Sequence, residues 1–270
     1  MIIVLILPPN PNTRRGYKTS WAVDSGKHQY LGYCTQNNVI LRNLKDPRGQ
    51  PALVYTDFME KVTAIQFSPN GEWIAAGTEK GKVRIWNYQE ESKEKFVVKK
   101  EHSMLAARVN TIVFTDDGKG MAAGGDGKDM FAKAVITDSG TKQGDLFGPT
   151  NSISSIDIKQ KPYRLIMSGE NQDIFVLDGT PYKHAKTMRT HTNFINKVAF
   201  RPDGKFFISV SADKSIILYD TDSLEVVRKI DKAHNKGILD ALWINDTDIL
   251  TCSSDNEIKY WNIETGTQIK

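Results

Sequence analysis

The chain has 270 residues, 36 basic and 32 acidic, with a net charge of +4. Charged residues make up 25% and hydrophobic residues 39%, a balance that excludes a disordered chain and suits a soluble globular one. Cys34 and Cys252 are too few for a disulfide framework or a cysteine-rich zinc site, and they fit a reducing compartment.

The run Met1–Leu7 is apolar and is followed by Pro8, Pro9 and Pro11. It lacks a preceding basic residue and is far too short to span a bilayer, so it predicts a strand rather than a targeting signal. The lysines are scattered without interleaved aromatics. That pattern predicts solvated loops rather than a nucleic-acid surface, and no partner of nucleic acid or membrane type is expected. The expected location is the cytoplasm.

Internal repeats decide the fold class. Tyr30–Cys34 and Val39–Asn43 read as strands of a degenerate first unit. Five later segments share a short apolar strand that ends in a bulky residue: Val62–Phe67, Val109–Phe114, Ile153–Ile158, Ile195–Phe200 and Ile238–Trp243. Their starts fall 47, 44, 42 and 43 residues apart. Turn sequences follow most of them, as in Ser68-Pro-Asn-Gly71, Thr115-Asp-Asp-Gly118, Arg201-Pro-Asp-Gly204 and Ile244-Asn-Asp-Thr247. A second strand comes next (73–77, 207–211 and 249–253), then a third ending in an aromatic residue (82–86, 215–219 and 257–261). This is the arithmetic of propeller blades, and the dipeptides Trp86-Asn87, Tyr219-Asp220 and Trp261-Asn262 give the repeats a WD40 character. The predicted fold is an all-β, WD40-type β-propeller of about six four-stranded blades, either closed as six or an incomplete seven-bladed ring. It is read as one domain over 1–270, with repeats near 17–46, 54–89, 99–140, 146–181, 188–223 and 230–266.

His191 precedes one repeat and Asp213 stands six residues before Tyr219; His234 precedes the next and Asp255 stands six residues before Trp261. A loop histidine, a strand hydroxyl, a turn aspartate and a strand-end aromatic form a hydrogen-bonded chain that satisfies a buried polar turn. Ser209 and Thr251 are the expected middle members. His191, Asp213, His234, Asp255 and Trp261 are therefore read as structural. Lys80 and Asn171 occupy the aspartate position in two other repeats, which predicts different bracing there.

No nucleotide-binding, metalloprotease or serine-hydrolase motif is present. Gly124-Gly125-Asp126-Gly127 looks like a phosphate loop but opens no predicted helix, so it reads as a blade turn. The sequence predicts no enzyme activity, no cofactor and no metal. A stiff ring whose loops carry recognition is the default reading.

Leu7–Gly16, Asn38–Leu44, Phe67–Gly77 and above all Ser155-Ile-Asp-Ile-Lys-Gln-Lys-Pro-Tyr-Arg-Leu165 resemble the actin-interacting protein 1 family of WD40 proteins, over essentially the whole chain. The resemblance covers only the first propeller of a family built as a tandem of two. It implies binding to cofilin-decorated actin filaments and promotion of their severing and disassembly. It further implies partner contacts at three places. The loop Gly125-Asp126-Gly127-Lys128-Asp129 with Phe131 keeps the family's acidic character. The turn Gly169-Glu170-Asn171-Gln172 has one carboxylate fewer than the family pattern, and Gly179–His184 departs from it at His184. The partner-binding residues so implied are Asp126, Asp129, Glu170 and Tyr182. The alternative function is a generic WD40 scaffold or adaptor without an actin role.

Overall fold

A computed structural model describes residues 11, 20–24, 29–45, 52–88, 97–144 and 146–270. The expected strand at Met1–Leu7 lies outside the described residues, as does the Leu7–Gly16 lead-in apart from Pro11. Among the described residues there is no helix, and the strands form six antiparallel sheets.

The first sheet has β1 (Trp21–Val23), β2 (Tyr30–Thr35), β3 (Asn38–Asn43) and β4 (Leu53–Tyr55), paired in that order. The second has β5 (Val62–Phe67), β6 (Trp73–Thr78), β7 (Lys82–Asn87) and β8 (Val98–Ser103). The third has β9 (Val109–Phe114), β10 (Gly120–Gly125) and β11 (Ala132–Ile136). The fourth has β12 (Ile153–Lys159), β13 (Arg164–Gly169), β14 (Asp173–Asp178) and β15 (Lys183–Arg189). The fifth has β16 (Ile195–Phe200), β17 (Phe206–Ser211), β18 (Ile216–Asp220) and β19 (Val226–Ile230). The sixth has β20 (Ile238–Trp243), β21 (Asp248–Ser253), β22 (Ile258–Asn262) and β23 (Thr267–Gln268).

The predicted strands fall on these elements to within a residue at either end. The third sheet departs from the four-stranded expectation, because only three of its strands are named among the described residues. Beyond β11 the ladder continues only as single bonds, the N–H of Gln143 donating to the carbonyl of Ala134 at 2.9 Å.

The predicted turns close in one way. Gly71, Gly118 and Gly204 each donate an N–H to the carbonyl three residues back, at 2.8–3.0 Å. Each adopts a φ of +68° to +75°, a region that costs glycine little and side chains more.

The chain forms two compact units. One holds residues 1–128 and 135–141, the other residues 129–134 and 142–270. In the first, an apolar layer fills the space between the first two sheets, with Tyr30, Leu41, Phe67, Trp86 and Tyr88 buried in it. A further layer joins Val83 and Ile85 to Val109, Phe114 and Met121. In the second, Ile166, Ile174 and Val176 pack on Val198, Phe207 and Tyr219. The other side of the fifth sheet, through Ile208, Val210, Ile216 and Leu218, packs on Ile238, Ala241, Ile249 and Trp261. A strand covered on both faces reads as a continuous buried run, which is what Ile216–Tyr219 shows.

Candidate functional site

The pairs formed by the first two strands of several sheets carry a β-bulge at one recurring place. The register skips from Val62 to Ala64, from Ile153 to Ser155, from Ile195 to Lys197 and from Ile238 to Asp240. A bulge leaves its extra residue outside the ladder and re-aims the side chain. In three sheets that side chain is a hydrogen-bond donor directed at the first strand of the next sheet. The Oγ of Thr63 donates to the Val109 carbonyl, the Oγ of Ser154 to that of Ile195, and the Nδ2 of Asn196 to that of Ile238, each at 2.6 Å. Sequence reasoning missed these latches. Their signal was a polar residue at the second position of the repeat strand, present as Thr63, Asn110, Ser154 and Asn196 and replaced by Leu239 in the last.

The two predicted polar chains are present. His191 contacts Asp213 Oδ2 through Nδ1 at 2.8 Å and the Ser209 hydroxyl through Nε2 at 2.6 Å; Ser209 meets the Tyr219 hydroxyl at 3.1 Å. In the last sheet His234 contacts Asp255 Oδ2 through Nδ1 at 3.1 Å and the Thr251 hydroxyl through Nε2 at 2.8 Å, and Trp261 Nε1–H donates to Thr251 at 3.0 Å. The partners assign the proton to Nδ1 of each imidazole, because the carboxylate can only accept and the hydroxyl then donates to Nε2.

Two members escaped the sequence reading. Ser215 donates its hydroxyl to Asp213 at 2.6 Å, and Thr190 meets the Tyr219 hydroxyl at 2.5 Å. Burial works to raise the Asp213 carboxyl. Hydrogen bonds from His191, Ser215 and the Thr192 N–H outweigh it and hold the group well below the ordinary carboxylate range. Asp255 is lowered in the same sense: burial opposes, but the Glu257 and Asn235 N–H groups and His234 prevail. His234, Asp255 and Glu257 place ligand-type atoms within 4.8 Å of one another. Both imidazole nitrogens and both Asp255 oxygens already serve the network.

The second sheet is braced by different chemistry, as Lys80 in the aspartate position predicts. Phe58 stands in the histidine position and Ala76 in the hydroxyl position. Phe58 meets Trp86 edge-on at 6.0 Å, and Tyr55 stacks on the same indole at 4.4 Å. Lys80 pairs instead with Glu60 at 3.2 Å. In the fourth sheet, with Asn171 in the aspartate position, Arg189 and Asp173 form a two-pronged ion pair at 2.7 and 2.9 Å. Arg164 and Asp178 form another at 2.5 and 2.9 Å.

The four residues implied to touch a partner are placed unequally. Asp126 is half-buried after β10; its N–H donates to the Arg108 carbonyl at 2.8 Å and its carboxylate accepts from Asn110 at 3.3 Å. Asp129 is exposed in the loop that follows. Glu170 is exposed in the β13–β14 turn, with its N–H bonded to the Ser152 carbonyl at 3.1 Å.

Tyr182 corrects the expectation of a surface anchor, since its side chain lies in the core and the residue is only 2% exposed. Its N–H donates to the Gln143 carbonyl at 3.1 Å, and its backbone bridges to Gly144. A Cβ at Gly144 would meet the backbone of Tyr182, so that glycine is what lets the two chains approach. Nor do Glu170 and Tyr182 share a surface. They lie in successive turns of one antiparallel sheet, at opposite ends of β14.

The repeated sheets, bulges and polar chains define a WD40-type β-propeller protein. The model of the family described as "WD domain, G-beta repeat" matches residues 50–87, 182–220 and 225–262. Within that class the chain resembles actin-interacting protein 1. It is 33% identical to the Drosophila melanogaster protein of that name over 94% of this chain and 41% of that protein. It is 32% identical to WD repeat-containing protein 1 of Xenopus tropicalis, and 33% identical to that of Bos taurus, over 96% of this chain and 42% of each. The chain thus spans about two fifths of the length of the curated relatives it matches. No helix among the described residues is long and apolar enough to cross a membrane.

Proposed function

We propose that this chain is a non-catalytic recognition platform that binds actin filaments and cooperates with cofilin (ADF) to sever and disassemble them. The observation that carries the reading is the similarity, over nearly the whole chain, to the Drosophila melanogaster actin-interacting protein 1. The platform prefers the cofilin-bound filament state, and by binding it shifts the population toward filaments that break. Its place of action is the cytoplasmic actin cytoskeleton. A repeat scaffold suits this role, because it holds short loops rigidly while leaving their tips in solvent.

Asp126, Asp129 and Glu170 are the proposed contacts, through carboxylates offered to basic groups on actin or cofilin. Tyr182 is left out because its ring is buried. Filament length followed by fluorescence microscopy tests the function. Faster loss is expected only when cofilin and this chain are both present. No change with a folded, monodisperse sample would favour the generic scaffold reading.

Asp126→Ala, Asp129→Ala and Glu170→Ala together are expected to weaken that effect about tenfold or more, since several charge pairs of roughly 0.5–1 kcal/mol are lost. The thermal melt should not move. Full activity in the triple variant would place the contact on other loops.

A further inference from the structure

Tyr182 is the one aromatic among the four residues implied to touch a partner, and its burial leaves that contact with carboxylates alone. Among the described residues of the second unit, two other aromatic side chains are exposed, Phe147 at 62% and Phe194 at 52%. A lone apolar side chain in solvent is ordinary. Phe147 is set apart by how it is held.

Its loop, 146–152, leads into β12. On one side of Phe147, Leu146 is buried, with 3% of its surface exposed. On the other side, Gly148 has a φ of +126°, and a Cβ there would fall 2.7 Å from the Phe175 ring. The backbone therefore rests directly on that ring, at a place only glycine fits. With both neighbours pinned inward, Phe147 is the residue of the loop that is turned out.

The same loop is tied to the turn that carries Glu170. Pro149 stands four residues before its first strand, where His191 and His234 stand in their repeats, so this sheet has no imidazole to brace the turn. Asn171 Nδ2 donates instead to the Thr150 hydroxyl oxygen at 3.3 Å, and the Glu170 N–H donates to the Ser152 carbonyl at 3.1 Å. The exposed ring and the exposed carboxylate thus belong to one tied piece of chain. Phe194 belongs to a different one, since its carbonyl accepts from the Ala212 N–H, beside Asp213, at 2.9 Å.

We propose that Phe147 and Glu170 act as a two-part contact, the ring entering an apolar socket of the partner and the carboxylate meeting a basic side chain beside it. The inference rests on the reading of this chain as an actin-filament platform, and the occupant is the cofilin-decorated filament. An aromatic anchor whose loop is already fixed loses little freedom on binding. The carboxylate orients the partner, and its share is screened by salt, whereas that of the ring is not.

Co-sedimentation with cofilin-coated filaments, at low and at moderate salt, tests this. Phe147→Ala is expected to weaken binding about tenfold or more at both salt concentrations. Phe147→Leu should keep more of the binding than alanine does, and Glu170→Gln should weaken it chiefly at low salt. Both side chains are in solvent in the free chain, so the circular-dichroism melt of each variant should match the wild type. A wild type that stays in the supernatant overturns the platform reading and this contact together. A wild type that sediments, with Phe147→Ala sedimenting equally, overturns the contact alone. So does a loss in Phe147→Ala that moderate salt abolishes.

Discussion

Replacing Trp86 with alanine is expected to lower the unfolding free energy by about 3–5 kcal/mol, the range for removing a large, fully buried aromatic side chain. Trp86 sits in the core of the second sheet, with Tyr55 stacked on one face and Phe58 against it edge-on. Among the described residues its indole Nε1 has no hydrogen-bond partner. The stabilisation it supplies is therefore packing area rather than a polar bond. That distinguishes it from Trp261, whose Nε1–H donates to Thr251. Urea unfolding of Trp86→Ala and Trp86→Phe separates the two contributions, and the phenylalanine variant should keep most of the stability that alanine loses. A loss below about 1 kcal/mol for alanine would mean that the sheet relaxes around the hole.

Asp213→Ala is the second large effect, at roughly 1–3 kcal/mol, because it strands the buried donors of His191 and Ser215 and removes the acceptor of the Thr192 N–H. The same carboxylate governs the acid response. Its folded value lies below the unfolded value of about 3.9, so its contribution is fully present above that value and is lost as pH falls through the folded one. Asp255 acts in the same direction. Wild-type stability, measured by denaturant unfolding, should therefore fall steeply once the pH drops below about 4. Asp213→Asn should flatten part of that slope. An unchanged slope would show that other carboxylates carry the acid sensitivity.

How much of this was legible in the sequence depends on whether the determinant is local. The strands were legible because the repeat spacing is nearly fixed and three of the turns end in Asx-Gly, where Gly71, Gly118 and Gly204 close alike. The His191 and His234 chains were legible because four residue types recur at fixed offsets, though Ser215 and Thr190 were hidden among ordinary hydroxyls. The aromatic bracing of Trp86 was not legible. Phe58 and Tyr55 look like any core residues until the tertiary fold stacks them. Tyr182 misled because its turn position predicts solvent, while its backbone contacts with Gln143 and Gly144 draw the ring inward. For Asp126, Asp129 and Glu170, sequence supplied charge and turn location, whereas a partner contact depends on a second molecule.

The alternating burial of β21, set against the continuous burial of β17 and β18, also orders how these two sheets open. An amide beneath half-exposed side chains opens at lower cost than one in a strand buried on both faces. Amide hydrogens in β21 and β22 should therefore exchange with deuterium faster than those in β17 and β18, although both pairs form complete ladders. Loss of protection would begin at Leu250 and Tyr260 and reach Ile208 and Leu218 only after the sixth sheet has opened. The sixth sheet would then act as a local thermometer, reporting heat or denaturant before the fifth sheet responds.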